Sequence, residues 1–175
     1  MENGSAAEVA LIGLEGMVGL SLCLGDERSS TEVSVQSSGT AFRVPGRALK
    51  DEFVRGGALM QVLLRYTQAF IEQMAQTAAC NRLGTLEQRL CRWLLLNLDR
   101  MPSDELTMTH ELIANALGVR REGVSEAAAR LQRQGAIHYH RGHISVLDRP
   151  ALEDRACECY RMDQRCAWRP LVMSR

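Results

Sequence analysis

Hydrophobic and polar positions along this chain follow two different periods, and the change of period marks the change of element. In residues 109–131, THELIANALGVRREGVSEAAARL, Ile113 and Leu117 fall four apart on one helical face, with the small Ala114 beside them. Gly118 then supplies a tight turn of the kind that ends a helix with positive φ. Val119, Val124, Ala127 and Leu131 continue the apolar stripe at helical spacing, and the opposite face carries Arg120, Arg121, Glu122, Ser125, Glu126 and Arg130. Thr109 is a suitable N-cap for the first helix. The pattern predicts two helices crossing through small residues. At this point it fits either a DNA-reading pair or an ordinary amphipathic hairpin with a solvated charged face.

From Ala136 the period shortens to two. Ile137–His140 and residues 143–147 read as short strands around an Arg141-Gly142 turn. Helix, turn, helix and hairpin is the winged-helix order. Upstream, Thr85 and Gln88 have capping-box spacing, opening a helix through Leu86, Leu90, Trp93 and Leu94 that stops at Pro102. Residues 106–108 suit a small strand before Thr109.

A longer pattern precedes these elements. Between residues 57 and 81 only Arg65 and Glu72 are charged. Leu59, Leu63, Tyr66, Phe70 and Met74 form one stripe of this helix, and Met60, Leu64, Ile71, Ala75 and Ala78 form another. A helix apolar on two faces is covered on two sides. One cover is expected from the chain's own N-terminal part and the other from a second copy, with Leu59, Leu63, Tyr66, Phe70 and Met74 at the seam. The competing reading is a central helix of a monomeric core.

The second helix of the pair carries Arg121, Glu122, Gly123 and Val124, matching the Arg-Glu-x-Val core of the recognition helix in the Crp/Fnr family of bacterial transcription factors, which this region resembles. The resemblance implies an α+β chain in three parts: residues 1–55, part of a cyclic-nucleotide-binding-like β-roll (a double-stranded β-helix) lacking its first half; residues 56–81, a dimerisation helix; and residues 82–175, a winged helix-turn-helix domain. It further implies a homodimer on a palindromic operator, with a recognition helix at about 120–133. Double-stranded DNA, a second copy and RNA polymerase are the implied partners. Arg121, Glu122, Ser125 and Glu126 would face bases. An arginine fork suits the two guanine acceptors, and a carboxylate accepts from the cytosine amine. Thr109, Arg120, Arg130, His140 and Arg141 would lie along phosphates, with Arg120 not capping its helix. Glu126 stands where relatives often carry a second basic reader, so the operator is not legible. A truncated, non-DNA-binding module that sequesters an intact family member through the dimer helix is the alternative.

Residues 9–12, 33–36 and 40–44 read as strands separated by Gly- and Ser-rich turns. Asn3-Gly4 is a hairpin dipeptide with no strand before it, which suggests a chain beginning inside a domain. Cyclic-nucleotide-binding relatives carry a Gly-Glu pair and, after a short helix, Arg-Ser, the arginine pairing with the phosphate. Here Gly19 is followed by Leu20, and Ser29-Ser30 stands at the second place, with Arg28 adjacent. Without that arginine the planar, charge-assisted pair is lost, so cyclic AMP is not expected to bind.

Composition narrows the picture further. The chain has 175 residues, 46% of them hydrophobic, with no apolar run of membrane-spanning length, so a cytoplasmic protein without membrane contact is expected. Net charge is zero, yet residues 1–80 hold 6 basic and 9 acidic side chains, against 15 and 12 in residues 81–175. The positive excess falls where phosphate would be met. Six cysteines raise a metal or redox reading. Asp148 and Pro150 open a helix read as running through Leu152, Ala156 and Tyr160, on which Cys157 and Cys159 point apart, so reduced structural thiols are expected for these two and Cys166. His138, His140 and His143 alternate through the wing and are expected to face solvent or DNA. His110-Glu111 begins a zinc-protease pattern that Ala114 breaks. No cofactor is expected. With no phosphate-cradling glycine loop, nucleophile elbow or acid-base pair, neither is catalysis.

Overall fold

A computed structural model describes residues 7–14, 16–26, 28, 29, 31–101 and 105–165. Seven α-helices and three strands are formed in these residues: α1 (Gly46–Val54), α2 (Ala58–Leu83), α3 (Leu86–Leu98), β1 (Glu105–Thr107), α4 (His110–Leu117), α5 (Arg121–Arg133), β2 (Ile137–His140), β3 (His143–Val146), α6 (Arg149–Arg155) and α7 (Glu158–Arg165). Asn3, Gly4, Ser30, Pro102 and Cys166 lie outside the described residues.

The core belongs to residues 86–165. Leu90, Leu94 and Leu95 of α3 are fully buried against Ile113, Val124, Leu131, Ile137, Ile144 and Leu152, which come from α4, α5, β2, β3 and α6. The three strands form an antiparallel sheet in the order β1-β3-β2, with Tyr139 opposite Ile144 and Leu106 opposite Ile144 on the other edge. Thr85 and Gln88 form the expected reciprocal capping box at the start of α3. Three ties hold the ends of the unit. Arg92 and Asp163 make a 2.9 Å ion pair whose side chains are only 7% and 6% exposed, joining α3 to α7. Arg149 bridges Asp99 and the Tyr160 hydroxyl. Arg89 of α3 donates to the Leu117 carbonyl at the end of α4.

Three expectations change. The segments at residues 9–12, 33–36 and 40–44 form no strand and have no ladder partners, and a strand needs a neighbour to satisfy its backbone. Leu20, after Gly19, opens a single 3₁₀ turn, Leu20–Leu22. The helix expected through Tyr160 is two helices, because Ala156 turns extended at ψ 154° and ends α6, so Cys157 lies in a break and not on a helical face. In α2, Leu63 and Tyr66 are covered by the chain itself. The Tyr66 hydroxyl donates to the Met17 carbonyl and accepts from the Met17 N–H, at 3.2 Å each, and a Cβ on Gly16 would collide with it. At these two positions the expected stripe is turned inward, because a half-polar tyrosine finds backbone partners 49 residues upstream. Phe70 and Met74 are half-buried beside that stripe, Leu59 likewise, while Leu64 and Ile71 are 46% and 49% exposed.

Candidate nucleic-acid interface

α4 and α5 are built as two capped pieces around one turn. Thr109 Oγ1 accepts from the Leu112 N–H and starts α4. Gly118, in the left-handed region at φ 63°, ends it, and its N–H returns to the Asn115 carbonyl. Arg120 then takes the N-cap place of α5 in extended conformation without a side-chain cap bond, as its residue type implies, and its side chain is exposed. Val124, Ala127, Ala128 and Leu131 anchor the inner face of α5 in the core. Gly123 faces α3 so closely that a Cβ there would stand 2.8 Å from Leu86 Cδ2. The first turn of α5 is thus seated directly on α3, which leaves Arg121, Glu122 and Glu126 on the exposed side.

Not every expected contact residue is equally free. Arg130 Nε pairs with Glu87 Oε2 at 2.9 Å and braces α5 against the first turn of α3. Ser125 is half-buried, with its Oγ 2.8 Å from His110 Nδ1. His110 also stacks on Tyr139 of β2, ring centroids 4.0 Å apart at 20°. The three side chains link α4, α5 and the wing. Burial, then the nearby Arg121 charge, lowers the His110 pKa and favours the neutral ring. This triplet was not legible in sequence, since positions 110, 125 and 139 share no local period.

The wing turn projects Arg141 at φ 46°, followed by Gly142 at φ 84°. Successive positive φ values are the geometry of the two-residue hairpin turn, and they cost a residue with a Cβ about 1–2 kcal/mol. His138 and His140 lie on one face of β2, rings 6.4 Å apart, and His143 Nδ1 is 3.3 Å from Thr107 Oγ1. Arg120, Arg121, His140 and Arg141 are all exposed.

The same stretch matches a protein-family model, the Crp-like helix-turn-helix domain, over residues 88–155. The chain is 30% identical over 131 residues to the transcriptional regulator LdrP of Thermus thermophilus, covering 67% of each protein. It belongs to the Crp/Fnr family. Among solved structures it is similar to a CRP/FNR-family transcriptional regulator from Thermus thermophilus, at 26% identity and TM-score 0.51, covering 56% of this chain and 54% of that one. FixK2 from Bradyrhizobium japonicum shares the fold at TM-score 0.57 and 20% identity, covering 65% of this chain and 60% of that one. The chain spans about half the length of the first of these structures. As a Crp/Fnr-family member it carries the helix-turn-helix and wing characteristic of transcriptional regulators, and these relatives are regulators, not enzymes. Among the described residues no helix is long and apolar enough to cross a membrane.

Proposed function

We propose that this chain binds double-stranded DNA as a homodimer on a two-fold-symmetric operator, with α5 in the major groove. The observation that carries the reading is the exposed first turn of α5, where Arg121 and Glu122 project from a helix whose other face is locked in the core and on α3. Arg121 reads guanine and Glu122 accepts from a cytosine amine, with Glu126 one turn further along the groove. Ser125 is held by His110 and sets the depth of the helix more than it reads a base. Thr109, Arg120, His140 and the wing Arg141 lie along the phosphates, while Arg130 serves as a brace through Glu87.

Binding of this kind requires dimerisation, because two recognition helices one helical turn apart need a two-fold partner. The seam is the stripe of α2 that this chain leaves open, Leu64, Ile71, Ala75 and Ala78, bordered by the half-buried Met60, Phe70 and Met74. Ile71→Glu is expected to convert a dimer into a monomer in sedimentation velocity.

The deciding experiment is selection of bound duplexes from a random pool, followed by titration. Arg121→Ala is expected to cost about 1–3 kcal/mol and relax preference at one base pair per half-site. Arg141→Ala is expected to weaken all sequences alike and to lower the salt dependence by about one unit of slope. Failure to select a symmetric site, with α2 still dimeric, would favour a module that sequesters an intact family member.

A further inference from the structure

Four of the cysteines gather where α2 ends, and they differ in ways their sequence positions do not show. Cys80 is buried in the last turns of α2, and Cys157 occupies the break between α6 and α7. Their Sγ atoms are 2.9 Å apart, although 77 residues separate them in the chain. That is closer than non-bonded sulfurs normally rest, and both thiols are free. Cys159 follows in the first turn of α7, and Cys91 lies fully buried in the core.

We propose that Cys80 and Cys157 are a modification site, a dithiol that a peroxide converts to a disulfide, closing a covalent loop around the winged helix-turn-helix unit and fastening it to the end of α2. The two cysteines bracket that unit in sequence: α3 begins at Leu86 and α6 ends at Arg155.

The chemistry divides unequally between the two sulfurs. Either thiol can donate across the 2.9 Å contact; with Cys157 donating, the bond holds the Cys80 pKa below the usual thiol value against the opposing effect of burial, with the Arg92 charge assisting. Cys159 is pushed up to about 11 and Cys91 to about 12, both mainly by burial. Cys80 is therefore assigned as the attacking sulfur; it is buried, and it lines a small cavity with Gln73, Thr77, Arg89, Arg92 and Trp93 by which a peroxide would have to reach it. The Cys80 thiolate attacks one peroxide oxygen, the O–O bond breaks, and a sulfenic acid and hydroxide form. Cys157 sulfur then attacks the sulfenic sulfur, the S–O bond breaks, and water leaves with the Cys157 proton. The hydroxide takes the proton that Cys80 released on ionising. Two thiols and one peroxide thus give one disulfide and two waters, a two-electron oxidation.

Such a bond acts mainly on the unfolded chain, whose loop it closes, and on the α2–α7 junction, which it fixes. The test uses the full, reduced chain treated with stoichiometric hydrogen peroxide, digested without reductant and mapped by mass spectrometry. The expected product is one linked peptide pair joining Cys80 to Cys157, two hydrogen atoms lighter than the separate peptides and restored by dithiothreitol. Cys157→Ser and Cys80→Ala each abolish it, whereas Cys91→Ser keeps it. The urea midpoint of the oxidised wild type is expected to rise above that of the reduced protein, with no peroxide-dependent rise in Cys157→Ser. A link between Cys157 and Cys159 instead, a sulfinic acid without a link, or an unchanged midpoint in the linked protein would overturn the proposal. None of these readouts involves DNA, so they stand or fall apart from the operator reading.

Discussion

Residues 86–165 and residues 7–44 contain similar kinds of apolar side chain, yet they meet opposite fates. In the first, Leu90, Leu94, Val124, Leu131 and Leu152 are at most 1% exposed. In the second, no described residue is buried, and Val35 and Phe42 stand almost wholly in solvent. The difference lies in who completes the backbone hydrogen bonds. A helix closes its own ladder within one segment and needs neighbours only for its apolar face. A strand needs a second strand before its first side chain can be usefully buried. The hairpin β2–β3 meets that requirement across a two-residue turn, whereas the alternating segments at 33–36 and 40–44 have no paired strand.

The sharpest way to break this contrast is substitution on each side. Leu131→Ala is expected to destabilise by about 2–5 kcal/mol in urea unfolding, since it empties a fully buried site. Val35→Ala is expected to stay within about 0.5 kcal/mol, as for an exposed position without partners; a cost like that of Leu131 would mean that the N-terminal segment is packed in solution. At the turn between α4 and α5, Gly118→Ala should cost about 1–2 kcal/mol because the new Cβ must enter the left-handed region. Arg141→Gly sharpens the same point with opposite sign. Removing the Cβ at φ 46° should gain about 1 kcal/mol of stability while weakening DNA binding, measured by unfolding and titration on one preparation.

The smallest effect concerns pH. His110 has a folded-state pKa below its ordinary 6.5, so the unfolded chain takes up the proton first as pH falls. Its contribution is therefore constant above that value and erodes as pH drops through it toward the lower folded value. Wild-type stability should lose more between pH 7 and pH 5 than that of His110→Gln, in paired urea titrations; equal losses would assign the acid sensitivity to other groups.

How much of this could be read from the chain itself depended on the range of the physics. The turn at Gly118, the Thr85 box, the cap at Thr109 and the bounds of β2 follow from interactions spanning four residues or fewer, and each appears where the sequence places it. The face of α2 turned inward did not, because both stripes are apolar and the choice rests on Tyr66 meeting Met17. The interruption at Ala156 carries no proline or glycine signal, so the sequence pattern runs Cys157 and Cys159 into one helix. The pairing of Arg130 with Glu87, 43 residues away, has no local signature in the sequence.

The missing side chain at position 123 has a mechanical meaning. With Gly123 flush against the Leu86 side chain, the first turn of α5 rests on the start of α3 with no room for a Cβ between them unless Leu86 moves. α3 in turn meets α2 at Gly84, where an added Cβ would stand 2.8 Å from a backbone atom, the Cys80 carbonyl oxygen. The placement of Arg121 and Glu122 therefore depends on how the first turn of α5 is seated on α3, an element away from the two side chains themselves.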